Sequence, residues 1–143
     1  MLTVKDIMTR SVGTIESKRT IRDAATVMSR AQVGSLIIMD GDKIAGIITE
    51  GDISKTLANK ANPDKVTVKR VMSRQLVTVS PDLRVEEAAK LMADKKIKKL
   101  PVLEGGNLVG IVTQTDIVAS SFELVISLKE MVRARYRPAD FQP

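Results

Sequence analysis

Two seven-residue stretches hold the residues best suited to chemistry, Gly46-Ile47-Ile48-Thr49-Glu50-Gly51-Asp52 and Gly110-Ile111-Val112-Thr113-Gln114-Thr115-Asp116. In each, an aliphatic pair fits a buried strand, and Thr and Asp follow where that strand runs into a helix start. The glycine permits close approach to the backbone. The Thr hydroxyl and the Asp carboxylate stand beside helix N–H groups that have no intrahelical partner. Oxygens and N–H groups so placed could hold a ribose and a phosphate, since a helix N-terminus favours an anion. The same Thr-x-x-Asp spacing is also that of a capping box, in which the two side chains only satisfy the helix start. From the residues alone, both readings stand.

Little other chemistry is on offer. The 143 residues include no Cys and no His, which removes disulfides, thiolate metal sites and the commonest metal ligand and general base. No nucleophile–base pair or metal cluster appears at a readable spacing, so the chain is expected not to be an enzyme. With one Tyr, two Phe and no Trp, the core must be built from Val, Ile, Leu, Met and Ala, and stacking platforms for single-stranded nucleic acid are lacking. Met1 to Asp6 show no signal-peptide pattern, and no apolar run approaches the ~20 residues that span a bilayer. The expectation is a soluble, cytoplasmic protein without a membrane partner.

The net charge of +6 is uneven: residues 1–64 hold nine Lys and Arg against eight Asp and Glu, residues 65–143 fourteen against nine. A basic second half could steer nucleotides, nucleic acid or an acidic protein face. A nucleic-acid or acidic-partner surface on the second half is therefore the alternative function.

The elements that must position the two motifs come as a duplication. Residues 4–53 lie over residues 68–117 at a constant offset of 64, identical at about 15 of 50 positions. In the first copy, Val12 to Ile15 reads as a short strand, and Thr20 with Asp23 opens an amphipathic helix with Ile21, Ala24, Ala25 and Met28 on one face. Gly34 to Met39 and Lys43 to Ile48 are strand-length apolar runs around the turn Asp40-Gly41-Asp42. A second helix follows from about Glu50 to Asn59. The second copy repeats the order, with Val85, Ala88, Ala89 and Met92 inward on its first helix and Glu104-Gly105-Gly106-Asn107 as its turn. Each copy is thus β-α-β-β-α, an α/β (α+β) fold.

A unit of this size buries too little surface alone, so the copies should pack about a pseudo-twofold axis. The predicted organisation is repeat 1 over 1–61, a linker over 62–67, repeat 2 over 68–122 and a helical tail over 123–143. In that tail Ile126, Leu128, Met131 and Val132 are apolar, and Pro138 ends the helix. They are expected to cover their own domain, with a dimer contact as the alternative.

Paired units that each close with Gly-aliphatic-aliphatic-Thr-x-x-Asp and open with Lys5 to Thr9 or Lys69 to Ser73 resemble the CBS domain family, named after cystathionine β-synthase. The resemblance spans about residues 2–120. It implies a tandem pair, or Bateman module, that regulates by binding adenosyl ligands such as AMP, ADP, ATP or S-adenosylmethionine in clefts between the repeats. It also implies a homodimer, with four CBS units in a disc, and a regulated partner protein. By the same resemblance, Asp52 and Asp116 bond ribose hydroxyls, with Thr49 and Thr113 beside a phosphate. Thr115 adds a hydroxyl that Gly51 lacks, so the Asp116 site is expected to be the stronger.

Thr14 and Ile15, and Thr78 and Val79, match positions flanking the adenine or ribose, although core packing alone would account for Ile15 and Val79. Val33 to Leu36 and Ile97 to Leu100 match the stretch whose backbone reads the adenine edge. Lys95 and Lys96, in the cluster Lys95, Lys96, Lys98 and Lys99, match basic positions that touch phosphates; repeat 1 has Ala31 and Gln32 there.

Overall fold

The computed structural model describes residues 2–121 and 129–134. The first repeat contains α1 (Val4–Ile7), β1 (Thr14–Glu16), α2 (Ile21–Ala31), β2 (Ser35–Asp40), β3 (Lys43–Thr49) and α3 (Glu50–Ala58). The second contains α4 (Val68–Val71), α5 (Val85–Lys95), β4 (Lys99–Glu104), β5 (Asn107–Thr113) and α6 (Gln114–Ala119). The expected β-α-β-β-α order holds in the first, and the amphipathic faces predicted for α2 and α5 turn inward: Ile21, Ala24 and Met28 are buried, as are Val85, Ala88 and Met92.

Helix α2 starts at Thr20 because its hydroxyl accepts from the Asp23 N–H at 3.2 Å while the Asp23 carboxylate accepts from the Thr20 N–H at 3.1 Å. Strand β1 pairs parallel with β2, and β2 pairs antiparallel with β3. Strands β4 and β5 reproduce the second pairing, including a bulge at the same place, Ile38/Met39 in one hairpin and Val102/Leu103 in the other.

The first strand of repeat 2 is reduced to one parallel bridge, Val79 to Val102. Proline explains it. In repeat 1 the Ser17 N–H donates to the Met39 carbonyl at 3.0 Å and the Ile37 N–H to the Gly13 carbonyl at 2.9 Å, whereas the positions 64 residues on are Pro81 and Pro101, neither of which has an N–H to give.

The two repeats exchange their opening segments. Val4, fully buried, packs in the core of the second repeat with Val79, Ala88, Met92, Leu100, Val102 and Val112. Val68, also fully buried, packs in the first core with Ile15, Ile21, Ala24, Leu36, Ile38 and Ile48. Past α1 the chain bridges Thr9 to Ile111; past α4 it bridges Ser73 to Ile47. Each contact has its counterpart at the offset of 64, as a pseudo-twofold arrangement requires.

Gly46 and Gly110 make the exchange possible. A Cβ on Gly46 would lie 2.6 Å from the Ser73 carbonyl oxygen and 2.6 Å from Met72 Sδ; one on Gly110 would lie 3.0 Å from the Thr9 oxygen and 2.6 Å from Met8 Sδ. The close approach that these glycines permit is therefore to the crossing segment of the other repeat.

Residues 129–134 are helical, with Met131 68% and Val132 47% exposed, so these two do not cover their own domain as the tail's apolar pattern suggested. Ile126, Leu128 and Pro138 lie outside the described residues.

Candidate functional site

Both Thr-x-x-Asp motifs form complete capping boxes. At the start of α3, Asp52 Oδ2 accepts from the Thr49 N–H at 2.9 Å and the Thr49 hydroxyl at 3.0 Å, and the Asp52 N–H donates to Thr49 Oγ1 at 3.2 Å. At the start of α6, Asp116 Oδ2 accepts from the Thr113 N–H at 2.8 Å and the Asp116 N–H donates to Thr113 Oγ1 at 3.1 Å. In both boxes Oδ2 does the capping, and no donor among the described residues reaches Oδ1. Both carboxylates are half-buried. Capping thus leaves one oxygen of each carboxylate able to accept a ligand hydroxyl.

The motifs differ in what surrounds them. Thr113 and Ile111 of β5, with Thr9 bridged to Ile111, line a cleft of about 230 Å³ together with Ser11, Val12, Gly13, Val33, Gly34, Ser35 and Ile37 of the first repeat. This is a boundary between repeats, with the Asp116 capping box at its edge. Small residues open it: the equivalents of Gly13, Gly34 and Ser35 in the other repeat are Val77, Lys98 and Lys99. Another hollow among the described residues, of about 530 Å³ between α2 and α3, is lined by Ile21, Ala25, Ile53, Leu57 and neighbours, away from both motifs.

Of the remaining residues singled out in the sequence, Val33 lines the inter-repeat cleft. Thr14 and Ile15 line a separate hollow with Glu16, Asp23 and Val27, and Ile15 is a core residue. Val79 is buried in the second core, beside an exposed Thr78. The cleft is reached two residues earlier in the chain, at Val12 and Gly13. Lys96 and Ile97 line a hollow between α5 and α6, with Lys96 in left-handed conformation at the end of α5. Lys95 is exposed on the last turn of that helix. Neither lysine lines the cleft. Thr115 is exposed beside Asp116.

The basic residue that does line the cleft is Lys99. Its Nζ donates to Ser35 Oγ at 2.7 Å, across the boundary between repeats. Burial holds its ammonium below the usual lysine value, with the nearby Glu50 charge acting in the opposite direction. A signal for it was present: in the β4–β5 hairpin Lys99 pairs with Thr113, so the two side chains share a face.

A cleft between duplicated β-α-β-β-α repeats, edged by a Thr-x-x-Asp box, defines a paired ligand-binding fold. The chain belongs to the CBS domain family: the family model matches twice, over residues 4–59 and 68–123. It is 34% identical over 120 residues to the CBS domain-containing protein YhcV of Bacillus subtilis, covering 84% of this chain and 86% of that one. A protein with CBS domains from Burkholderia ambifaria superposes with a TM-score of 0.79 at 29% identity, covering 85% of this chain and 95% of that one. The CBS domain pair of protein MJ0100, solved in complex with 5′-methylthioadenosine and S-adenosyl-L-methionine, superposes with a TM-score of 0.75 at 32% identity, covering 90% and 98% of the two chains. Among the described residues no helix is long and apolar enough to cross a membrane, and no group of His, Cys, Asp and Glu could hold a metal ion.

Proposed function

We propose that the chain is a non-catalytic regulatory module that binds one adenosyl ligand, AMP, ADP, ATP or S-adenosylmethionine, in the inter-repeat cleft and signals its occupancy to a partner protein. The observation that carries this reading is the position of the Asp116 box. Thr113 lines a cleft walled by both repeats, and the Asp116 carboxylate keeps Oδ1 for a ribose hydroxyl. The adenosyl compounds bound by the MJ0100 pair support the ligand class.

A ligand touching both walls favours one relative arrangement of the repeats over others, which is how occupancy becomes a signal. At about 230 Å³ the cleft is below the roughly 300 Å³ at which small-molecule pockets usually begin.

The test is thermal unfolding of ligand-free protein with each of the four compounds. Because a ligand that binds only the folded chain adds about 2.7 kcal/mol at a hundredfold excess over Kd, at least one compound should raise Tm by several degrees. No rise with any of them at millimolar concentration overturns the reading.

The homodimer would use the outer face between α2 and α3, where Leu57 is 49% exposed beside Ala25 and Ile53. Sedimentation velocity should give twice the chain mass, and Leu57→Glu should shift the protein toward monomer. A wild-type monomer at all concentrations contradicts this.

A further inference from the structure

Lys99 bears on which adenosyl ligand the cleft prefers. It is half-buried at the start of β4, opposite Thr113 in the hairpin register, so its stem and the Thr113 side chain lie on one face of the strand pair. Its ammonium reaches across the cleft to Ser35 at 2.7 Å. An ammonium carries three donors, and Ser35 takes one. Among the described residues no second acceptor is bonded to it.

The position is also one-sided. Ser35 and Lys99 are equivalents at the offset of 64, facing each other between the repeats, so the pair places one cation where strict symmetry would place two or none. The other lysines of the cluster, Lys95, Lys96 and Lys98, are exposed and line no part of the cleft, and water screens them.

One carboxylate, Glu50, acts on the Lys99 charge. Glu50 is exposed, its Oε1 3.4 Å from where a Cβ on Gly34 would be, and it opposes the effect of burial on Lys99. Asp116 has its Oδ2 committed to the α6 cap. Neither forms an ion pair with Lys99 within 4 Å, so the ammonium is not neutralised in place.

We propose that Lys99 makes this cleft selective for adenosyl ligands with an anionic 5′ substituent, a phosphate above all, over those with a neutral thioether or a cationic sulfonium there. The inference rests on the adenosyl reading of the cleft. A partly desolvated ammonium with unused donors forms charge-assisted bonds to phosphate oxygens that are stronger than those of a solvated lysine. Toward a sulfonium it is a like charge, which supplies the repulsive half of specificity.

Calorimetric titration of the full chain at low salt with AMP, 5′-methylthioadenosine and S-adenosylmethionine tests this. AMP should bind at least about tenfold more tightly than the uncharged thioether. Lys99→Met should weaken AMP about tenfold while leaving the thioether within about twofold, and Lys99→Arg should keep the AMP preference. Equal wild-type affinities for AMP and the thioether, a comparison that needs no variant, overturn the proposal while leaving the adenosyl reading intact. So does an unchanged AMP affinity in Lys99→Met. If none of the three binds, the adenosyl reading itself falls and this inference with it.

Discussion

Gly46→Val should destabilise the protein by about 3 kcal/mol and lower Tm by about 10 °C, making it among the most damaging single changes available. The reason is contact between backbones. A Cβ at this position would sit 2.6 Å from the Ser73 carbonyl oxygen, and that carbonyl is fixed by its bond from the Ile47 N–H at 3.1 Å, with the Ser73 N–H returning to Ile47 at 2.9 Å. Met72 Sδ, also 2.6 Å away, could rotate aside, whereas the backbone oxygen could move only if the crossing segment left β3. That segment carries Val68 and Met72 against the first core, so the loss would spread into packing.

Gly41→Ala supplies the contrast. Gly41 has φ of +63° in the β2–β3 turn with nothing within 4 Å of a Cβ, so the cost there is backbone strain alone, about 1 kcal/mol. Chemical denaturation of both variants separates the two mechanisms. Equal, small losses would show that the repeats do not depend on this crossing.

Asp116→Ala should weaken adenosyl-ligand binding by about 10- to 100-fold, the amount expected for losing hydrogen bonds to a charged acceptor. Asp52→Ala should weaken it far less. The comparison is controlled by the architecture, because each carboxylate caps a helix through an Oδ2 that accepts from the preceding Thr N–H. Both substitutions therefore cost about 1 kcal/mol of stability from the lost cap. They should differ in affinity, since only the Asp116 box edges the cleft lined by Gly13, Gly34 and Ser35. The position equivalent to Gly13 is Val77, and those equivalent to Gly34 and Ser35 are lysines, all larger than their counterparts. Equal loss in the two variants, read by calorimetry and corrected for the folded fraction, would assign ligand binding to both boxes.

The duplication made much of this fold legible in the sequence. The offset of 64 aligned the hairpins, the Ala-Ala helices and both boxes, and Thr20 with Asp23 marked the start of α2 by residue type alone. What the offset could not reveal was which core each opening segment enters. Val4 and Val68 are identical residues in equivalent positions, and either partner satisfies the same pattern; only the packing shows that they are exchanged.

The lysine cluster shows a different limit. Four lysines within five residues look alike in sequence, but Lys95 and Lys96 fall where α5 ends, while Lys99 is the first residue of β4 and turns into the cleft. Counting back along the hairpin from Thr113 would have separated them. Likewise Thr14 and Ile15 stand on β1 itself, and it is the preceding Val12 and Gly13 that border the cleft. Pro81 was a readable signal as well, since a residue without an N–H cannot continue the pairing that Ser17 makes.

The most direct measurement of the central claim is isothermal titration of the ligand-free chain with AMP, ADP, ATP and S-adenosylmethionine, reading stoichiometry as well as affinity. Binding of at least one of them at one molecule per chain, abolished or strongly weakened by Asp116→Ala, is the expected result. No heat of binding with any of the four at millimolar concentration, from protein shown to be folded, would contradict it.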